Sequence, residues 1–110
     1  MTSETPANPK EEQTNFELEG WLSQAWSCHA NKDYSQAESL FSQALKAYPD
    51  AEEAAYGLGL SLKQSGRPEE AIQYFQKALA LLESSSNSQD TARRAMLRRL
   101  VNAHLSMLSA

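Results

Sequence analysis

Apolar residues recur at three- and four-residue steps along most of this 110-residue chain, the spacing of helices that bury one side. Leu18, Trp21, Leu22, Ala25 and Cys28 predict a first helix from about Phe16 to Ala30, closed by the polar turn Asn31-Lys32-Asp33. Ala37, Leu40, Phe41, Ala44, Leu45 and Tyr48 line a second, which starts at Asp33 or Tyr34 and which Pro49 stops. Asp50 suits the N-cap of a third, with Glu53 three residues on in capping-box position and Ala55, Leu58, Gly59 and Leu62 as its inner stripe. Ser65-Gly66-Arg67-Pro68 reads as a stop and a restart, because glycine ends helices and proline is accepted in a first turn. The fourth helix runs to about Glu83. A polar spacer over 84–88 then leads to a fifth helix, capped by Ser88 or Asp90 and ending near Ser109. Residues 1–15 hold Pro6, Pro9 and no large apolar residue beyond Met1, and read as a disordered leader.

The pattern is said twice. Shifting Tyr34–Pro49 by 34 residues places it on Pro68–Glu83, with Ala37 on Ala71, Phe41 on Phe75, Ala44 on Ala78 and Leu45 on Leu79. A match to itself at a fixed period of this size marks a stacked-repeat architecture. The arrangement resembles the tetratricopeptide repeat, whose 34-residue unit follows W-x2-L-G-x2-Y, then A-x3-F-x2-A and a proline. A first repeat over about 18–51 matches at Trp21, Ala25 (small, for Gly), Ala37, Phe41, Ala44 and Pro49, and departs at Gln24 and Cys28. A second over about 52–85 matches at Leu58, Gly59, Ala71, Phe75 and Ala78, and departs at Ala55, Leu62 and Glu83. The resemblance implies an all-α, right-handed stack of antiparallel helix pairs over 16–110, with five helices. The last of them, about 89–109, serves as a cap. Small residues at Ala25, Gly59, Ala37 and Ala71 let helices approach, and Phe41 and Phe75 fill the gaps between them.

Composition narrows the function. With 41% hydrophobic and 22% charged residues the chain has a globular rather than a disordered balance. No apolar run approaches the ~20 residues that cross a bilayer, and the first fifteen residues lack the apolar core of a secretory signal. Cys28, being alone, forms no internal disulfide, which suits a reducing, cytoplasmic setting. The net charge of −4 is divided. Residues 1–90 carry −8, while 91–110 hold four arginines and no acid. An acidic body argues against nucleic acid as partner, and the asymmetry favours the fifth helix lying on an acidic neighbour, in this chain or another copy.

The resemblance also implies a site. In the family, repeat positions 2, 5, 9 and 12 of each first helix line a concave groove. Here these are Glu19, Leu22, Trp26 and His29, then Glu53, Tyr56, Leu60 and Lys63. Leu22 and Trp26 stand where carboxylate-gripping members carry Lys and Asn, so an apolar peptide or helix is the better fit, with the acidic rim favouring a basic one. The alternative is that the leader or the fifth helix covers this strip. The fifth helix is apolar around more than half its circumference, through Met96, Leu97, Leu100, Val101, His104, Leu105, Met107 and Leu108. It reads as a homodimer interface or as a long cap folded over the groove. Chemistry is not indicated. Cys28 and His29 point about 100° apart on a helix and cannot share a metal, and neither a phosphate loop nor a nucleophile elbow is present. The expectation is a non-catalytic binding module for a protein or peptide, without cofactor or metal.

Overall fold

Five helices follow one another in the computed structural model, which describes residues 9–84 and 91–109: α1 Pro9–Ala30, α2 Tyr34–Ala47, α3 Glu52–Gln64, α4 Pro68–Ser84 and α5 Thr91–Ser109. Each packs on the next, and α1 also reaches α3. Trp21 meets Tyr48 while His29 meets Tyr34, so α1 and α2 run antiparallel. Arg94 near the start of α5 donates to the carbonyl of Leu82 near the end of α4, while His104 stacks on Phe75, which sets the same relation between α4 and α5. The first helices of the pairs and α5 thus form one layer, with α2 and α4 behind.

One core serves the whole stack. Ala37, Phe41 and Ala44 of α2 and Ala71, Phe75 and Ala78 of α4 are all fully buried, the two copies of the repeat in the same role. Lying between the first pair and its own partner α4, α3 is buried without a break from Ala54 to Gly59. A helix enclosed on all sides needs small residues where neighbours come closest, and Gly57 and Gly59 supply them. A methyl at Gly57 would lie 2.3 Å from Phe41 Cε1, and one at Gly59 2.8 Å from Phe75 Cε1.

The turns within the two pairs are the same device 34 residues apart. Asp33 N–H donates to the Cys28 carbonyl (2.8 Å) and Lys32 N–H to that of His29 (3.0 Å), and Arg67 N–H to Leu62 (2.9 Å) and Gly66 N–H to Lys63 (3.1 Å). Both are Schellman closures with the penultimate donor in the left-handed region, Lys32 at φ 66° and Gly66 at φ 81°. Glycine adopts that region freely and lysine at a cost of ~1 kcal/mol or more. Lys32→Gly should therefore raise stability by about 0.5–1 kcal/mol, read as a higher thermal midpoint, and Gly66→Ala should lower it.

Two sequence expectations are corrected. The first is the start of α1, which lies at Pro9 rather than near Phe16, so residues 9–15 of the expected leader are helical; residues 1–8 lie outside the described residues. Proline forfeits nothing in a first turn, where its N–H would have no helical partner. The second is the capping box of α3. Ala51, not Asp50, is the N-cap, and its methyl has no acceptor for a side-chain cap bond, while the Glu53 carboxylate is engaged across helices. Asp33 does cap α2, accepting from the Gln36 N–H. The caps expected for α5 at Ser88 or Asp90 lie outside the described residues.

Candidate functional site

The eight residues that the repeat positions single out fall into three groups. Leu22 and Tyr56 are nearly buried, each 8% exposed, and belong to the core as much as to a surface. Trp26, His29, Glu53, Leu60 and Lys63 are half-buried, and Glu19 is exposed.

Trp26 is the centre of the strip. Its indole N–H donates to Glu53 Oε2 at 2.8 Å, its ring meets Phe41 edge-on at 4.8 Å, and Tyr56 lies tilted at 6.1 Å. One bond to a carboxylate and two ring contacts fix both ends of the side chain, while part of its surface stays open. His29 packs edge-on against Trp26 and Tyr34, and burial pushes its pKa down.

The second half of the strip is roofed by α5. Arg93 pairs with Glu53, and Arg94 with Glu52 at 3.1 Å. Lys63 Nζ lies 3.0 Å from His104 Nδ1, and the His104 ring stacks flat on Phe75 at 5.1 Å and faces Tyr56 at 6.0 Å. The arginines of α5 at its start thus meet their acidic neighbours within the chain. Glu53, read from the sequence as groove rim, is occupied on both sides, by Trp26 and by Arg93. Sequence reasoning missed Glu52 and Arg94 as a pair; the opposite charges of body and fifth helix were their signal, though charge alone does not give register.

Along α5 itself the expected self-association residues separate. Val101 is fully buried and Leu97 nearly so, at 0% and 7%, facing the core of their own chain. His104, Leu105 and Leu108 are half-buried against it. Met96 and Leu100 are exposed, as is Met107, which the wheel also includes.

Burial, then the positive charge of Lys63, pushes the pKa of His104 below its ordinary value of 6.5. The neutral ring accepts from Lys63, and the protonated ring would meet that ammonium directly while lying against Phe75 and Tyr56. A histidine whose folded pKa is depressed favours the folded state above its unfolded pKa, and that preference is lost as pH falls. His29 acts in the same sense. Stability should therefore decline from about pH 6.5 downward, before the carboxylates titrate, and His104→Gln should flatten that slope in urea melts taken at pH 7 and pH 5.

Among the described residues no helix is long and apolar enough to cross a membrane, and no group of three or more His, Cys, Asp or Glu could hold a metal ion. A comparison with curated proteins returned no match to the chain. The family model described as tetratricopeptide repeat matches residues 22–87, which takes in most of both helix pairs and more than half of the chain. Proteins built from such repeats generally mediate contacts between proteins and are typically non-catalytic. With the 34-residue period, the paired Phe41 and Phe75 and the duplicated turns in agreement with it, this chain belongs to the tetratricopeptide repeat family.

Proposed function

We propose that the chain is a non-catalytic scaffold or adaptor that receives a peptide or amphipathic helix of a protein partner on the α1–α3 face. Trp26 is the anchor and Leu60 the apolar neighbour. The observation that carries this is the Trp26 side chain, held at its indole N–H by Glu53 and at its ring by Phe41, yet half-open to solvent. An aromatic whose rotamer is already paid for loses little entropy on binding. Exposed Glu19 and an acidic body favour a basic protein segment over nucleic acid. The unpaired Cys28 suits a reducing compartment such as the cytoplasm.

The test is a peptide library displayed against the full chain, followed by NMR of the selected peptide's complex. Selected peptides should be net basic, should shift the indole N–H of Trp26, and should bind Trp26→Ala about tenfold more weakly, with the helical signal of the variant as the folding control. Peptides that shift only α5 and bind Trp26→Ala unchanged would remove the groove from the reading. A second reading, a self-associating structural protein with α5 as its homodimer surface and the groove closed, draws on a different observation. Met96, Leu100 and Met107 lie exposed on α5, while Arg93 and His104 already cover Glu53 and Tyr56.

A further inference from the structure

The two ends of the stack carry opposite charge on faces of the same spacing. At one end, α5 exposes Met96 (50%), Leu100 (38%), Ala103 and Met107 (59%), at steps of four, three and four residues. Arg99 beside this stripe is exposed and forms no ion pair among the described residues. At the other end, α1 exposes Phe16 (80%), Gly20, Ser23 and Ser27 at the same steps. A methyl on Gly20 would meet nothing within 4 Å, so this face is open. Exposed Glu19 holds the place beside this stripe that Arg99 holds beside the other. In sequence α1 carries four glutamates and one lysine, and α5 four arginines and no acid.

We infer that the occupant of the α5 face is the α1 face of a second copy, the molecules joining head to tail. This rests on the second reading above, self-association through α5, and names its counterpart surface. Charge decides against the symmetric choice. Two α5 helices set face to face would bring arginines against arginines, whereas α1 offers the opposite sign. Shape agrees: the large Met96, Leu100 and Met107 of one face meet the small Gly20, Ser23 and Ser27 of the other, with Phe16 as the aromatic contributed by α1. Such a contact is heterologous and leaves a free α1 face and a free α5 face on every pair, so assembly continues past the dimer as concentration rises.

Sedimentation velocity of the full chain from micromolar to millimolar concentration tests this. The mean mass should climb with concentration past that of a dimer, and fall when salt is added. Leu100→Glu blocks the α5 face and Gly20→Arg the α1 face, with Phe16→Ser as a second α1 variant. All three positions are exposed, and each change should weaken association about tenfold or more. Mixing Leu100→Glu with Gly20→Arg should give a one-to-one pair that grows no further, since each supplies the face that the other has lost. A wild-type chain that stays monomeric throughout overturns the inference together with the second reading. A dimer indifferent to both α1 variants keeps self-association through α5 but overturns α1 as its counterpart, as does a mixture that remains monomeric.

Discussion

Phe75→Ala should cost about 3–5 kcal/mol of folding stability, lowering the urea midpoint by roughly 2 M with little change in slope. The ring is fully buried and joins its own helix to two others. It belongs to α4, lies over Gly59 and 6.0 Å from the Tyr56 ring of α3, and stacks on His104 of α5. Alanine here would leave a cavity lined from all three, and α3 cannot slide in to fill it while Phe41 lies against its opposite side at Gly57. For a domain whose total stability is about 5–15 kcal/mol, the variant would sit close to unfolding at ordinary temperature. Phe75→Leu, which keeps most of the volume, should cost far less. A Phe75→Ala protein within about 1 kcal/mol of the wild type would mean that α5 is not held through this ring.

Gly57→Ala provides a sharper test, because two physical arguments give opposite signs. Helix propensity alone makes alanine better than glycine by about 1 kcal/mol in a helix interior. Packing makes it worse, since the added methyl would lie 2.3 and 2.4 Å from Cε1 and Cζ of Phe41. That ring is fully buried and is itself pressed edge-on by Trp26 at 4.8 Å, so it has nowhere to withdraw. Packing should win, with a net loss of about 2–3 kcal/mol in urea melts. Gly20→Ala is the internal control. With nothing within 4 Å of its methyl, it should show the propensity effect alone and stabilise by about 0.5–1 kcal/mol. The pair Gly57→Ala and Phe41→Leu should be less damaging together than the sum of the two, the mark of a shared steric contact.

What could be read from the sequence was whatever the 34-residue period repeats. Phe41 and Phe75, Ala37 and Ala71, and the stop at Gly66 all follow from a helix pair that must bury one side and turn sharply. Gly57 escaped because it lies outside the repeating pattern: its neighbour is the ring of the preceding pair, not of its own. Glu53 was misread as a cap because a glutamate three residues after an aspartate has the same signature whether or not its carboxylate turns back on its own helix. Its partners, Trp26 and Arg93, are 27 and 40 residues away. Pro9 falls in the stretch that its polar composition marks as a disordered leader, whereas it opens a helix. The division of α5 into a buried side at Leu97 and Val101 and an open side at Met96 and Leu100 needed its orientation on α4, which a wheel apolar around more than half its circumference does not encode. The candidate groove came from repeat positions, and those positions do not say that α5 would lie across half of it.

The grip of Arg94 has a mechanical consequence. Its guanidinium reaches Glu52 at the start of α3 and the Leu82 carbonyl near the end of α4, and so sets where α5 begins independently of the chain that leads there. The seat of α5 then does not depend on the length of the connection from Ser84 to Thr91. Lengthening a connection whose two ends are held in this way is cheap, about 0.6 kcal/mol per doubling. This makes the junction a tolerant place for an inserted sequence or an added sensor domain, with the last helix still finding its seat.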